Sequence, residues 1–191
     1  EMMRFWLITL TTLLLFAPDA ERCILAWNYE TNQDAILDQP YAENTTRYTV
    51  AGDALLAVEA GKGQMKAMSF QQIQAKIENK DNGEQGNWQQ ALSLKDVQID
   101  DLTIGNDQGN NTYAVIASGT YLGKQGLRIL QVKTDKDGVR VIPSAQPTIE
   151  LDEDTKSYGS PVRSDRDSVT FVNRNGGQSS ITRVALDALP A

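Results

Sequence analysis

The chain has 191 residues, 40% hydrophobic and 23% charged, with a formal net charge of −7, no histidine and a single cysteine, Cys23. That is enough apolar chain for an ordinary core and too much for a disordered polymer. The acidic balance excludes a nucleic-acid partner, which needs a basic surface, and the residue inventory excludes His-based triads, His-ligated metals, thiolate clusters and an internal disulfide.

Arg4 precedes an apolar run from Phe5 to Phe16, followed by Ala17-Pro18-Asp19-Ala20. A short apolar helix between a positive charge and a small-residue breaker is the pattern of a signal peptide. Cleavage is expected after Ala20, or alternatively after Ala26, so that a secreted or periplasmic chain begins between Glu21 and Trp27. An uncleaved N-terminal anchor helix or a buried core helix is the alternative; twelve apolar residues are few for a membrane span. A membrane is expected as a partner only through this segment, and only if it is uncleaved. Glu21-Arg22 is a poor context for lipidation of Cys23, because a small residue belongs there.

Residues 27–191 are expected to form one β-rich domain. The stretch from Trp27 to Thr46 is polar and turn-rich. Tyr48-Thr49-Val50 leads into a turn at Gly52-Asp53. Ala54 to Val58 is an apolar strand closed by Gly61-Lys62-Gly63, and Met65, Ala67 and Ser69 alternate in a second strand. Phe70 to Lys80 is the best helix, with Ile73 and Ile77 spaced i,i+4, ended by Asp81-Asn82-Gly83. The strand–glycine turn–strand unit recurs at Tyr113–Val132 and at Ser168–Leu186. The unit starts, Ala54, Tyr113 and Ser168, are 59 and 55 residues apart. Leu92–Leu94, Val97–Ile99, Val139–Ile142 and Thr148–Leu151 read as linking strands.

Thr112-Tyr113-Ala114-Val115-Ile116-Ala117 and Gly126-Leu127-Arg128-Ile129-Leu130-Gln131-Val132 resemble β-propeller repeats of the LVIVD kind. The resemblance implies an all-β, propeller-like array of antiparallel sheet units and a binding or scaffolding role, and it carries over no catalytic residues. Three units do not close a propeller. Strands within Ile24–Thr46 would add a unit; an incomplete array, a fragment of a larger propeller or a β-sandwich are the other solutions.

Asp135-Lys136-Asp137-Gly138 opens like a calcium loop, but Arg140 stands where a ligand is wanted, so a hairpin turn is expected. Asp152 and Asp154, with Asp165 and Asp167, form a candidate acidic cluster; paired carboxylates perform glycoside hydrolysis, while solvated loops carry such residues by default. Trp88, Tyr121 and Tyr158 are candidate binding aromatics, against core packing as the ordinary role of such rings. No metal site and no cofactor are expected. The export pattern, the β-repeats with the role their resemblance implies, and the missing catalytic residue types together point to an extracytoplasmic, non-enzymatic module that binds a protein or glycan through loops on a β scaffold. A carboxylate-dependent glycoside hydrolase, or a structural subunit retaining its apolar N-terminus, are the rivals.

Overall fold

A computed structural model describes residues 4–7, 12–16, 24–38, 46–59, 61–79, 88–109, 112–143, 149–150, 162–165, 168–175 and 178–185. The chain is all-β apart from one helix among the described residues. Its strands form four antiparallel sheets, each built from consecutive strands. The first contains β1 (Arg4–Leu7), β2 (Thr12–Phe16), β3 (Ile24–Asn28) and β4 (Gln33–Asp38). The second contains β5 (Thr46–Ala51), β6 (Ala54–Glu59), β7 (Gln64–Ser69) and β8 (Gln89–Ser93), with α1 (Phe70–Glu78) between the last two. The third contains β9 (Val97–Gly109), β10 (Thr112–Tyr121), β11 (Lys124–Asp135) and β12 (Gly138–Pro143), and β13 (Ile149–Glu150) also pairs with β11. The fourth contains β14 (Val162–Asp165), β15 (Ser168–Asn175) and β16 (Gln178–Ala185).

The three strand–turn–strand units of the sequence are β6–β7, β10–β11 and β15–β16. Each supplies the second and third strands of its sheet. Val115 and Ile129 are buried, while Phe171 stands in β15 and Val184 in β16.

One expectation is corrected. The apolar N-terminal run is strand, not helix, over its described residues: β1 pairs with β2, and β2 pairs with β3 from Thr12↔Asn28 to Phe16↔Ile24. Its aromatic and β-branched residues suit a strand, and β3 supplies the backbone partners that an isolated helix would supply itself. Strands within Ile24–Thr46, one of the solutions the sequence left open, are present as β3 and β4, with Ala35 and Leu37 of β4 alternating inward. A strand of six residues needs only two such positions to bury one face.

The sheets pack in chain order, and β6 shows how. All of Ala54 to Val58 is buried, but consecutive strand residues point to opposite faces. Leu56 and Val58 join Ile99, Val115, Leu130 and Val141 in a core between the second and third sheets. Leu55 joins Ile24, Leu37, Ile73 and Ile77 in a core between the second sheet, the first sheet and α1. β10 is likewise buried on both faces: Val115 and Ala117 face the second sheet, while Ala114 and Ile116 point away from it. β14 of the fourth sheet contacts β9 of the third. Burial of a large apolar side chain contributes roughly 1.5–3 kcal/mol, comparable to the entropy of ordering one or two residues. A lone four-stranded meander is therefore marginal, and the shared faces hold the stack.

α1 starts at a capping box. The Ser69 Oγ accepts from the Gln72 amide at 3.1 Å, and the Ser69 amide donates to Gln72 Oε1 at 2.8 Å. Ile73 and Ile77 bury one stripe of the helix, and Lys76 lies in its last turn, where a cation opposes the helix dipole favourably. No helix among the described residues is long and apolar enough to cross a membrane.

Candidate functional site

At one end of the second and third sheets, three turns converge on an open cleft of about 670 Å³. They are the β6–β7 turn at Gly61–Gly63, the β8–β9 connection at Leu94–Asp96 and the β10–β11 turn at Leu122–Gly123. Backbone hydrogen bonds bind them into one frame. The Gly61 amide donates to the Ile99 carbonyl at 3.0 Å, and the Ile99 amide returns a bond to the Lys62 carbonyl at 2.9 Å. The Leu94 amide donates to the Gly63 carbonyl at 2.8 Å, and the Leu122 amide to the Asp96 carbonyl at 3.0 Å. Backbone-to-backbone anchoring fixes such a site more tightly than side-chain contacts, because the main chain has fewer soft torsions.

Left-handed backbone concentrates here. Gly61, Asp96, Leu122 and Gly123 all line the cleft and have φ of +84°, +55°, +51° and +81°. Asp96 and Leu122 are two of the three non-glycine residues in that region among the described residues. Leu122 and Gly123 are the central pair of a two-residue hairpin turn closed by Tyr121↔Lys124. Positive φ at both central positions is what a type I′ turn requires, and Asn-Gly is its usual sequence. Gly63 is needed for a different reason: a Cβ there would collide with the Leu94 carbonyl oxygen and lie 2.8 Å from that of Val97.

The cleft is nearly neutral. Lys62 and Asp96 are its charged lining residues, and Lys62 Nζ pairs with Glu59 Oε2 at 2.8 Å on the exposed surface. Gln64, Gln98 and Thr120 add polar groups, and no aromatic ring lines it. A lining mostly of amides, a hydroxyl and main chain, with few charges, suits a ligand recognised by hydrogen bonds and shape rather than by charge.

The aromatic residues singled out in the sequence stand elsewhere. Tyr121 is buried at the base of its turn and its hydroxyl donates to the Ala117 carbonyl at 2.7 Å. Burial pushes its phenol well above the ordinary tyrosine range; the Arg128 guanidinium and backbone amide oppose this, and the Asp100 carboxylate adds to it. Trp88 is half-buried, donates its indole N–H to the Leu37 carbonyl at 2.7 Å, and packs against Tyr48 with ring centroids 6.4 Å apart. It ties the second sheet to the first. Tyr158, Asp152, Asp154 and Asp167 lie outside the described residues. Asp165 is the last residue of β14, opposite Ser168.

Asp135–Gly138 is a hairpin turn. Asp135 Oδ1 accepts from the Asp137 amide at 2.8 Å and Oδ2 accepts from Arg140 Nη2 at 3.0 Å. The Asp137 amide first, and then the Arg140 guanidinium, hold the Asp135 carboxyl below its usual value. Both oxygens thus serve the turn. Among the described residues no three potential metal-ligating side chains converge.

Sequence reasoning passed over Leu122 and Asp96. The visible signal is Leu122-Gly123 between two long strands, where Asn-Gly is the favoured pair; a leucine in that place marks a backbone conformation the side chain does not favour. Comparison with known proteins adds no identity: no protein-family model, no curated protein and no solved structure matches the chain.

Proposed function

We propose that this chain is an extracytoplasmic, non-enzymatic binding module that holds its ligand in the cleft of the second and third sheets. The observation that carries this reading is the concentration of left-handed, non-glycine backbone at a cleft framed by three hydrogen-bonded turns. Strained conformations persist where surrounding structure over-determines them, and they cluster at ligand sites. Loops on a rigid β scaffold are the ordinary place for recognition. Serial stacking of consecutive antiparallel meanders supports a propeller-like array as the scaffold, with a β-sandwich as the alternative.

The test is selection of a displayed library of random peptides, together with a panel of neutral oligosaccharides, against the full chain. Amide resonances are then followed in the presence of each selected ligand. Shifts centred on Gly61, Gly63, Gln98 and Thr120 support the reading. Ligands whose shifts fall elsewhere count against the cleft.

The extracytoplasmic assignment rests on the composition of residues 2–20. It has a structural consequence, because β1 and β2 lie in that segment. Cleavage after Ala20 leaves a first sheet that begins at β3. N-terminal sequencing of exported material decides the matter: a start between Glu21 and Trp27 agrees, and an intact Met2–Phe16 segment opposes it.

A further inference from the structure

The side chain of Leu122 is 80% exposed at the mouth of the cleft, on a residue whose φ is +51°. Left-handed backbone is costly for any residue with a Cβ, and least so for asparagine, aspartate and glycine. An internal packing contact commonly offsets such a cost. Here the side chain is in solvent, so packing within the chain does not offset it. The neighbouring turn residue Gly123 has open space around it, so the turn is not forced by crowding at that position. The Leu122 amide is instead fixed to the carbonyl of Asp96, itself at φ +55°. The arrangement fixes the backbone of Leu122 and leaves its apolar side chain exposed at the edge of a nearly neutral cleft.

We propose that Leu122 is a recognition finger for a protein partner: its side chain enters an apolar pocket of the partner, while a neutral, extended segment of that partner lies in the cleft. This rests on the cleft being the binding site and names the class of ligand. A glycan is the weaker candidate, because sugars stack on aromatic rings and the lining has none. A strongly charged partner is also a weaker candidate, since the lining holds one cation, Lys62, already paired with Glu59, and one acid, Asp96. Because main-chain bonds already fix the backbone of Leu122, docking costs only the rotamer freedom of its side chain, which its apolar burial exceeds.

The probe is a displayed library of random linear peptides, selected against the full chain. Affinities are measured for the wild type, for Leu122→Asn, which suits left-handed backbone, and for Thr120→Arg, which places a bulky charge in the cleft. Selected peptides are expected to share a large apolar residue. They should bind Leu122→Asn at least about tenfold more weakly, the factor expected for losing one buried aliphatic side chain. The thermal midpoint of Leu122→Asn should be unchanged or higher, which separates lost recognition from lost folding. Peptides weakened by Thr120→Arg but indifferent to Leu122→Asn overturn the finger and leave the cleft. Peptides indifferent to both variants, or a library that yields no binder, overturn both. Neutral oligosaccharides that bind in the cleft and ignore Leu122 overturn the choice of partner.

Discussion

The amide of Leu122 donates to the carbonyl of Asp96 at 3.0 Å, and both residues are in the left-handed region. Each lies in a connection between strands, one within the third sheet and one leading into it from the second. The bond therefore couples two turns that need unfavourable backbone to meet, and together they form one side of the cleft.

Replacing Leu122 by asparagine should raise stability. Left-handed backbone costs an ordinary L-residue roughly 1–2 kcal/mol, and asparagine recovers part of it through local hydrogen bonding. A gain of about 0.5–1 kcal/mol in urea unfolding is expected, with the slope unchanged. A loss of stability would show that the leucine side chain makes a contact the folded chain depends on.

Gly119 is expected to tolerate no side chain. It sits at a register shift between β10 and β9, and an added Cβ would run into the backbone carbonyl of Gln98. That carbonyl belongs to a paired strand and cannot swing aside as a side chain can. Gly119→Ala should cost roughly 2–3 kcal/mol by chemical denaturation. A neutral effect would mean that the bulge relaxes freely.

The local pattern of the sequence carried the paired units, the helix from Phe70 and the Asp135 turn. These are short-range features: alternation, i,i+4 spacing and turn residues act within a few positions. What it did not carry depends on contacts distant along the chain. Trp88 looks like a candidate binding ring until Leu37, 51 residues away, is seen to accept its proton, and Tyr121 does so until the packed sheets are seen to bury it. The apolar run at Phe5–Phe16 suggests a helix until β3 is seen to pair with it. The cleft joins residues from Gly61 to Gly123, brought together by sheet packing and by hydrogen bonds between turns, and no local motif announces it.

Adjacent residues Leu55 and Leu56 should be equally sensitive for different reasons. Leu55 fills the core against α1 and the first sheet, and Leu56 the core against the third sheet. Both are fully buried. Each substitution by alanine should cost about 2–5 kcal/mol. If the sheets unfold as one unit, both variants shift a single transition. A second transition that appears for only one of them would show that the two cores melt independently.

Tyr121 sets an alkaline limit on stability. Burial raises its folded-state pKa above the ordinary value of about 10, so the folded state holds the phenolic proton more tightly than the unfolded chain does. The contribution is fully present below about pH 10 and is lost as pH rises from there through the folded pKa. In that window the unfolded chain releases the proton first, and stability falls by up to about 1.4 kcal/mol per pH unit from this group. Tyr121→Phe removes both the proton and the bond to the Ala117 carbonyl. At pH 8 the variant should be roughly 1–2 kcal/mol less stable, the usual cost of leaving a buried acceptor without its donor. Above pH 10 the wild type should fall more steeply, so that the two urea midpoints converge by about pH 11. The comparison within the pair cancels the titration of the other tyrosines and of the lysines. Midpoints that decline in parallel from pH 8 to pH 11 would show that the Tyr121 hydroxyl reaches water and ionises without unfolding.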